Sequence, residues 1–198
     1  MSDLVIESQY FPCIATIQQW QQSSSLLIEQ WETYQKMSFR NRCIIVGSNG
    51  LIHLSIPLEK GRQQRCPMKE VKIDTRENWQ QQHWRTIFSC YGSAPFFEYY
   101  QDALQGLYRQ QFVYLIDLNM FIMQWLKKVF KIQAGLQLTE QYLPQYPTGF
   151  SDIRNKTLPK NFQQTTSVHY TQVFEEKTGF QTNLSILDLL LCAGPQAL

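Results

Sequence analysis

The sequence predicts an α/β protein, with a small mixed β-sheet from the N-terminal third covered by helices from the C-terminal two-thirds. Three observations lead to this prediction. Two short apolar runs flank a helical segment near the start of the chain, a Gly-Ser-Asn-Gly turn joins two further apolar runs, and helix-spaced apolar residues prevail after residue 78. We expect residues 1–198 to form a single domain, because this length can bury a core without disulfides or metals.

The first elements read as strand, helix and strand. Leu4-Val5-Ile6 is typical of an inner strand, and residues 26–28 predict a second one. Pro12 suits the first position of a helix that runs to about residue 22, with three residues facing inward: Ile14, Ile17 and Trp20. This order favours a right-handed parallel unit.

A β-hairpin should follow. Residues 43–46 and 51–56 flank Gly47-Ser48-Asn49-Gly50, and Asn-Gly tolerates the positive φ angles of tight hairpin turns. Residues 71–73 alternate as one more short strand.

The chain then turns helical. A helix is predicted from Trp79 to a stop at Gly92, a second after Pro95, and a third that Asp117 caps. Residues 137–143 predict a late strand, residues 144–164 an irregular polar loop, and residues 170–178 and 184–191 helices, the last capped by Asn183 and terminated at Gly194-Pro195.

Composition excludes several classes of function. A net charge of +2 and a pI of about 8.2 are too mild for a nucleic-acid-binding protein. The most apolar stretch, residues 112–126, is too short and too polar for a membrane span. The start lacks the pattern of a secretory leader, and five cysteines without a C-x-x-C pair favour free thiols in a reducing cytoplasm rather than a metal site. No cofactor motif is present, and a homo-oligomer stays open.

The segment before the hairpin is the first candidate site. It carries Lys36, Arg40 and Arg42 with the amide of Asn41. Guanidinium groups bind phosphate and carboxylate through paired hydrogen bonds, and residues 40 and 42 share a face if they lie on an extended strand. The alternative is that one or both arginines pair with acids such as Glu29, Glu32 or Asp74, or simply lie on an exposed edge.

Three other regions add candidates. Gln9 and Tyr10 follow the first strand, where open α/β sheets place ligands, although an ordinary turn is the alternative. His83 is either a general base or a hydrogen-bonded core residue. The loop residues Asp152, Arg154 and Lys160 either close over a ligand or form a solvated linker.

Several motifs together are similar to the WbqC-like family of bacterial proteins. They are Gln9-Tyr10-Phe11-Pro12, the hairpin segment, His83-Trp84, Ala94-Pro95-Phe96-Phe97-Glu98-Tyr99-Tyr100, Gln172-Val173-Phe174, Gly179-Phe180 and Asn183-Leu184-Ser185-Ile186-Leu187-Asp188-Leu189-Leu190. The chain departs from the family pattern at Tyr10, where many members have proline, and at Cys13, where an aromatic residue is common.

The resemblance implies a link to surface polysaccharide genes and a supposed transfer of an amino-acyl or acyl group to an amino sugar. We therefore expect a transferase whose ligand is small, anionic or sugar-like, bound by Gln9, Tyr10, Lys36, Arg40, Asn41 and Arg42, with His83 as the catalytic residue. The alternative expectation is a non-catalytic binding or assembly protein in envelope biogenesis.

Overall fold

The strands were located in a computed structural model, which describes residues 2–61 and 63–198. They are β1 (Asp3–Glu7), β2 (Ser25–Glu29), β3 (Arg42–Gly47), β4 (Gly50–Ser55), β5 (Gly135–Leu138) and β6 (Phe150–Asp152). In this part of the chain, β1, β2, β5 and β6 form a parallel sheet in the order β5-β2-β1-β6. The predicted α/β class and the parallel pairing of the first two strands are confirmed.

The helices are α1 (Ile14–Gln21), α2 (Trp79–Tyr91), α3 (Phe97–Arg109), α4 (Leu115–Val129), α5 (Glu175–Thr178) and α6 (Ile186–Ala193). In α1 the residues predicted to face inward, Ile14, Ile17 and Trp20, are all fully buried. The predicted α2 and the helix after Pro95 are confirmed. Asp117 does not cap α4 but lies in its first turn, because the helix begins two residues earlier.

The hairpin forms a sheet of its own. Strands β3 and β4 pair antiparallel, and Gly47 lies opposite Gly50, so that Ser48 and Asn49 make the two-residue loop. Gly50 closes this loop with a φ of 109°, a conformation that favours glycine. The predicted hairpin is confirmed, and its strands are separate from the parallel sheet.

One predicted strand does not form, and one strand forms that was not predicted. Residues 71–73 form isolated bridges, Lys72 with Tyr114 and Ile73 with Leu58, rather than a strand. Conversely, β6 lies inside the segment predicted to be irregular. It forms because the backbone of residues 150–152 pairs with β1, although the segment itself has no alternating apolar pattern.

The core runs through the whole fold, from Leu4 in β1 to Cys192 in α6. None of the helices in the described part of the chain combines the length and apolar character that a bilayer crossing needs. Since the four strands of the larger sheet are parallel, their carboxyl ends meet at one edge. That edge positions the candidate site.

Candidate ligand cleft at the carboxyl edge of the parallel sheet

Acidic residues stand at the ends of three parallel strands. Glu7 is the last residue of β1, Glu29 the last of β2 and Asp152 the last of β6. Open α/β sheets bind ligands outside the carboxyl ends of their strands. The topology therefore gathers carboxylates from distant parts of the sequence at the edge where a ligand is expected.

A cavity of about 580 Å³ opens at this edge, and we call it the edge cleft. Its wall is built from the segments that follow β2, β5 and β6. The lining residues are Trp31, Glu32, Thr33, Gln35, Tyr142, Pro144, Asp152, Arg154, Asn155 and Lys156. This volume falls within the usual range for small-molecule sites.

Glu29 lies next to the edge cleft and binds residues around it. Its Oε1 accepts hydrogen bonds from the backbone N–H of Trp31 (2.8 Å) and the hydroxyl of Thr139 (3.0 Å). Its Oε2 lies 3.4 Å from both the Tyr146 hydroxyl and a guanidinium nitrogen of Arg154. Glu29 is fully buried, so its contacts orient the surrounding residues rather than leave it open to a ligand.

Arg154 contacts both acidic and aromatic side chains at the edge cleft. It donates to both carboxylate oxygens of Asp152, at 3.0 and 2.6 Å, and stacks over the rings of Tyr142 and Tyr146. Burial raises the pKa of the Asp152 carboxyl, but the hydrogen bonds from Arg154 outweigh it and bring the pKa below its usual value. Burial and the nearby Glu29 raise the pKa of Tyr146 to about 12, which keeps its hydroxyl protonated.

Glu32 is the buried carboxylate that lines the edge cleft. It is 6% exposed, and its Oε1 accepts hydrogen bonds from Nε (3.0 Å) and Nη2 (2.6 Å) of Arg40. Burial raises the pKa of Glu32. The guanidinium of Arg40 opposes this rise, whereas the carboxylates of Glu7 and Glu29 add to it.

A chain of hydrogen bonds joins the turn after β1 to Arg40. Glu7 accepts from the Gln9 side-chain amide and from the backbone N–H of Asn155, both at 2.8 Å. The Asn155 side chain in turn accepts from Nη2 of Arg40 (2.8 Å). Gln9 and Arg40, two predicted site residues, thus belong to one network behind the edge cleft, and Asn155 connects that network to the lining.

The predicted basic segment is divided between different surroundings. Arg40 and Asn41 precede β3, which begins at Arg42, so the predicted strand face shared by Arg40 and Arg42 does not form. Arg40 is fully buried in its ion pair with Glu32, the alternative that the sequence left open. Asn41 bonds Tyr34 and the backbone oxygen of Ile56, which is a structural role.

Tyr10 and His83 lie in a buried aromatic cluster away from the lining of the edge cleft. The Tyr10 hydroxyl is 3.0 Å from Nδ1 of His83 and 2.6 Å from the Tyr108 hydroxyl. His83 is 5% exposed, and burial lowers its pKa to about 4. A neutral imidazole explains both contacts, with Nδ1 accepting from Tyr10 and Nε2 donating to the Ser55 oxygen (3.3 Å). A catalytic role for His83 stays a prediction.

The sequence of this chain matches that of a known protein family. The model of the WbqC-like protein family matches residues 7–152, well over half of the chain. The chain belongs to the WbqC-like protein family. The match covers β1 from its last residue through β6, and so includes the strands whose ends form the edge cleft.

A protein of Mycobacterium tuberculosis strain H37Rv, whose name says only that it is uncharacterised, is 26% identical to this WbqC-like chain over 220 residues. The alignment covers 95% of this chain and 89% of that protein. No solved structure matches the chain.

The sequence did not reveal several residues that line the edge cleft. Trp31, Glu32, Tyr142 and Asn155 were not candidates, and Asp152 and Arg154 were considered only as loop residues. One signal was available: Glu7 and Glu29 each end an apolar strand, which is an unusual place for a buried charge. Among the described residues, no cluster of histidine, cysteine and carboxylate side chains has the arrangement of a metal site.

Proposed function

We propose that this protein is a transferase that binds an activated amino sugar, or a related metabolite, in the edge cleft. The acyl or amino-acyl group would move onto the sugar's amine, in the biosynthesis of bacterial surface polysaccharide. Family membership supports the polysaccharide setting. The observation that carries the proposal is Glu32, a buried carboxylate that lines an aromatic-walled cleft at the carboxyl edge of the sheet.

The aromatic side chains suit a sugar ring. Trp31 is 37% exposed and Tyr142 is 50% exposed, and both line the edge cleft. An aromatic face packs well against the C–H groups of a pyranose, while polar groups around it bind the hydroxyls. Gln35, Thr33 and Asn155 supply such polar groups.

Glu32 suits the amine. Both hydrogen bonds from Arg40 go to Oε1, and within the described residues Oε2 has no hydrogen-bond partner. An ammonium group in the cleft would therefore find an acceptor in Oε2. A buried carboxylate with a raised pKa is also a stronger base than an exposed one.

The reaction follows from these roles. Glu32 takes a proton from the sugar's ammonium, and the free amine attacks the carbonyl carbon of the acyl donor. A C–N bond forms, the bond between the carbonyl carbon and the leaving group breaks, and the leaving group departs with the electron pair. The second proton of the attacking nitrogen passes to solvent or to the leaving group.

Glu32→Gln tests the proposal. Glucosamine should stabilise the wild type in a thermal-shift assay more than N-acetylglucosamine, which lacks the ammonium. The variant should lose this preference and the formation of acylated glucosamine from acyl and amino-acyl thioesters, measured by mass spectrometry. The amide oxygen of glutamine can still accept the hydrogen bonds from Arg40, and far-ultraviolet circular dichroism of the variant checks that it is folded.

Two further variants guard the interpretation. Glu98→Gln removes an exposed carboxylate outside the cleft and should behave as wild type. Tyr142→Ala removes an exposed wall residue and should weaken sugar binding several-fold, by roughly 1 kcal/mol for a lost aromatic contact. Equal glucosamine binding by the wild type and Glu32→Gln would contradict the proposal.

The second candidate function is a non-catalytic binding or assembly protein in envelope biogenesis. Exposed aromatic side chains favour it, since Phe88 of α2 is 51% exposed and Tyr99 of α3 is 79% exposed. This candidate predicts that Phe88→Ser/Tyr99→Ser abolishes association with a partner, measured by size-exclusion chromatography, and that glucosamine has no effect on the wild type.

A further inference from the structure

A second cavity borders the edge cleft. It has a volume of about 570 Å³ and is lined by Tyr34, Gln35, Lys36, Gln63, Gln64 and Arg65. Gln35 lines both cavities, so a ligand that extends past Gln35 enters the second cavity from the first. We infer that this second cavity is a phosphate subsite, which binds the activating phosphate groups of a sugar whose ring lies in the edge cleft.

The charge of the second cavity supports a phosphate ligand. Lys36 and Arg65 both line it, and no carboxylate is among its lining residues in the described part of the chain. Neither cation forms an ion pair with another residue of 2–61 and 63–198, whereas Arg40 and Arg154 are both paired with acids. The side-chain amides of Gln35 and Gln63 add hydrogen-bond donors. Phosphate oxygens accept from such groups.

The backbone joins the two segments that carry the cations. The N–H of Tyr34 donates to the oxygen of Cys66 at 3.0 Å, and Thr33 forms a bridge with Pro67. Residues 33–36 and 63–67 are therefore joined by main-chain hydrogen bonds rather than brought together by flexible side chains. Such preorganisation lowers the entropic cost of binding an anion between them.

An activated sugar has a ring at one end and phosphate groups at the other. The side chains of the two cavities suit these two ends. The edge cleft offers aromatic rings and carboxylates, and the second cavity offers cations and amides. This inference rests on the proposed function for the sugar and on its own observations for the phosphate. It names the substrate class as a sugar carrying a phosphate or diphosphate group at its anomeric carbon, a group that stays attached during acyl transfer.

Isothermal titration with inorganic pyrophosphate tests the phosphate subsite alone. Lys36→Ala and Arg65→Ala should each weaken pyrophosphate binding roughly tenfold, and the double variant roughly a hundredfold, because each removes a charge-assisted hydrogen bond. Raising the salt concentration should weaken binding to the wild type and have less effect on the double variant. Lys177→Ala/Arg109→Ala removes the same charge from exposed positions outside both cavities and should bind pyrophosphate as wild type.

Glu32→Gln separates this inference from the proposed function. This variant should bind pyrophosphate as the wild type does but should no longer be stabilised by glucosamine. The Lys36/Arg65 double variant should still be stabilised by glucosamine but should bind pyrophosphate weakly. UDP-glucosamine should bind the wild type at least tenfold more tightly than either pyrophosphate or glucosamine. If the double variant and its control bind pyrophosphate equally, the phosphate subsite is refuted. If only the glucosamine effects fail, the subsite stands and the transferase proposal falls.

Discussion

Asp188 carries a buried carboxylate that has no cationic partner among the described residues. Its oxygens accept 2.6 Å hydrogen bonds from the hydroxyls of Tyr91 and Tyr170. Burial raises the pKa of Asp188 to about 6, even though these hydrogen bonds oppose the rise. The native state therefore holds this proton at pH values where the unfolded chain has released it.

We predict that Asp188→Asn changes the pH dependence of stability. Since the folded pKa is above the unfolded value of 3.8, the wild type loses stability as pH rises from about 4 to about 6. The loss is on the order of 3 kcal/mol, and the asparagine variant should not show it. Urea unfolding between pH 4 and 7 measures this difference. Parallel curves for the two proteins would contradict the assigned shift.

His83 affects the pH dependence of stability in the opposite direction to Asp188. Its pKa is lowered to about 4, below the unfolded value of 6.5, so its contribution to stability is present above pH 6.5 and lost as pH falls toward 4. His83→Gln should remove a slope on the order of 3 kcal/mol over this range, measured by the same unfolding series. A slope equal to that of the wild type would show that His83 is not buried in its neutral form.

At the level of single residues, the sequence singled out Gln9 and Arg40 as candidate site residues but did not show which side chains they contact. Gln9 and Arg40 belong to one network behind the cleft, but the acid that pairs with Arg40 is eight residues upstream, after a different strand. Local spacing does not show which of several acids an arginine contacts. The direction of a side chain depends on where the chain turns, here before β3 begins.

Among the elements, α6 and α1 are joined by Asn183. The sequence predicted Asn183 as the cap of α6, but Ser185 is that cap. Asn183 instead accepts from the N–H of Ala15 at the start of α1 and donates to the oxygen of Phe162, and its φ is 53°. Asparagine tolerates this left-handed conformation better than most residues.

We predict that Asn183→Ala destabilises the protein by on the order of 2–3 kcal/mol, because two buried backbone groups lose their partners. Chemical denaturation measures the change. Asn78→Ala is the matched control, since Asn78 precedes α2 without a capping hydrogen bond, and its effect should stay within about 0.5 kcal/mol. Equal destabilisation by both substitutions would contradict the assigned role of Asn183.

Elements with strong local periodicity were predictable, and those defined by distant pairing were not. Helices α2 and α3 and the hairpin carry their patterns within a few residues. Strand β6 is three residues long and exists because β1 offers a free edge almost 150 residues earlier in the chain. Residues 71–73 alternate as a strand does, yet they bridge two separate segments instead of joining a sheet.

For the whole molecule, the site depends on topology more than on any motif. Glu7, Glu29 and Asp152 meet because three strands run parallel, and no spacing in the sequence announces that meeting. The predicted ligand position after β1 and the edge cleft lie at the same edge of the sheet, and ligand binding there stays a prediction. The acidic and aromatic character of that edge required the positions of β2 and β6.

The same long-range pairing leads us to propose that residues 1–198 unfold as one unit. The core cluster includes residues of β1, α2, α4 and α6, and β6 pairs with the first strand of the chain. Trp20 donates to the oxygen of Gly135 in β5, whereas Trp79 packs against His83 in the aromatic cluster. Two chains, each carrying only one of these two tryptophans with the other four tryptophans replaced by phenylalanine, report on separate regions.

We predict that both reporters and the far-ultraviolet circular dichroism show one transition at the same urea concentration. Asn183→Ala should shift all three midpoints equally, because a lost contact between α6 and α1 weakens a cooperative whole. Two separated transitions, or a shift confined to the Trp20 signal, would instead divide the chain into two units. The edge cleft would then need to be assigned to the unit that contains the parallel sheet, since its acidic residues Glu32 and Asp152 follow β2 and end β6.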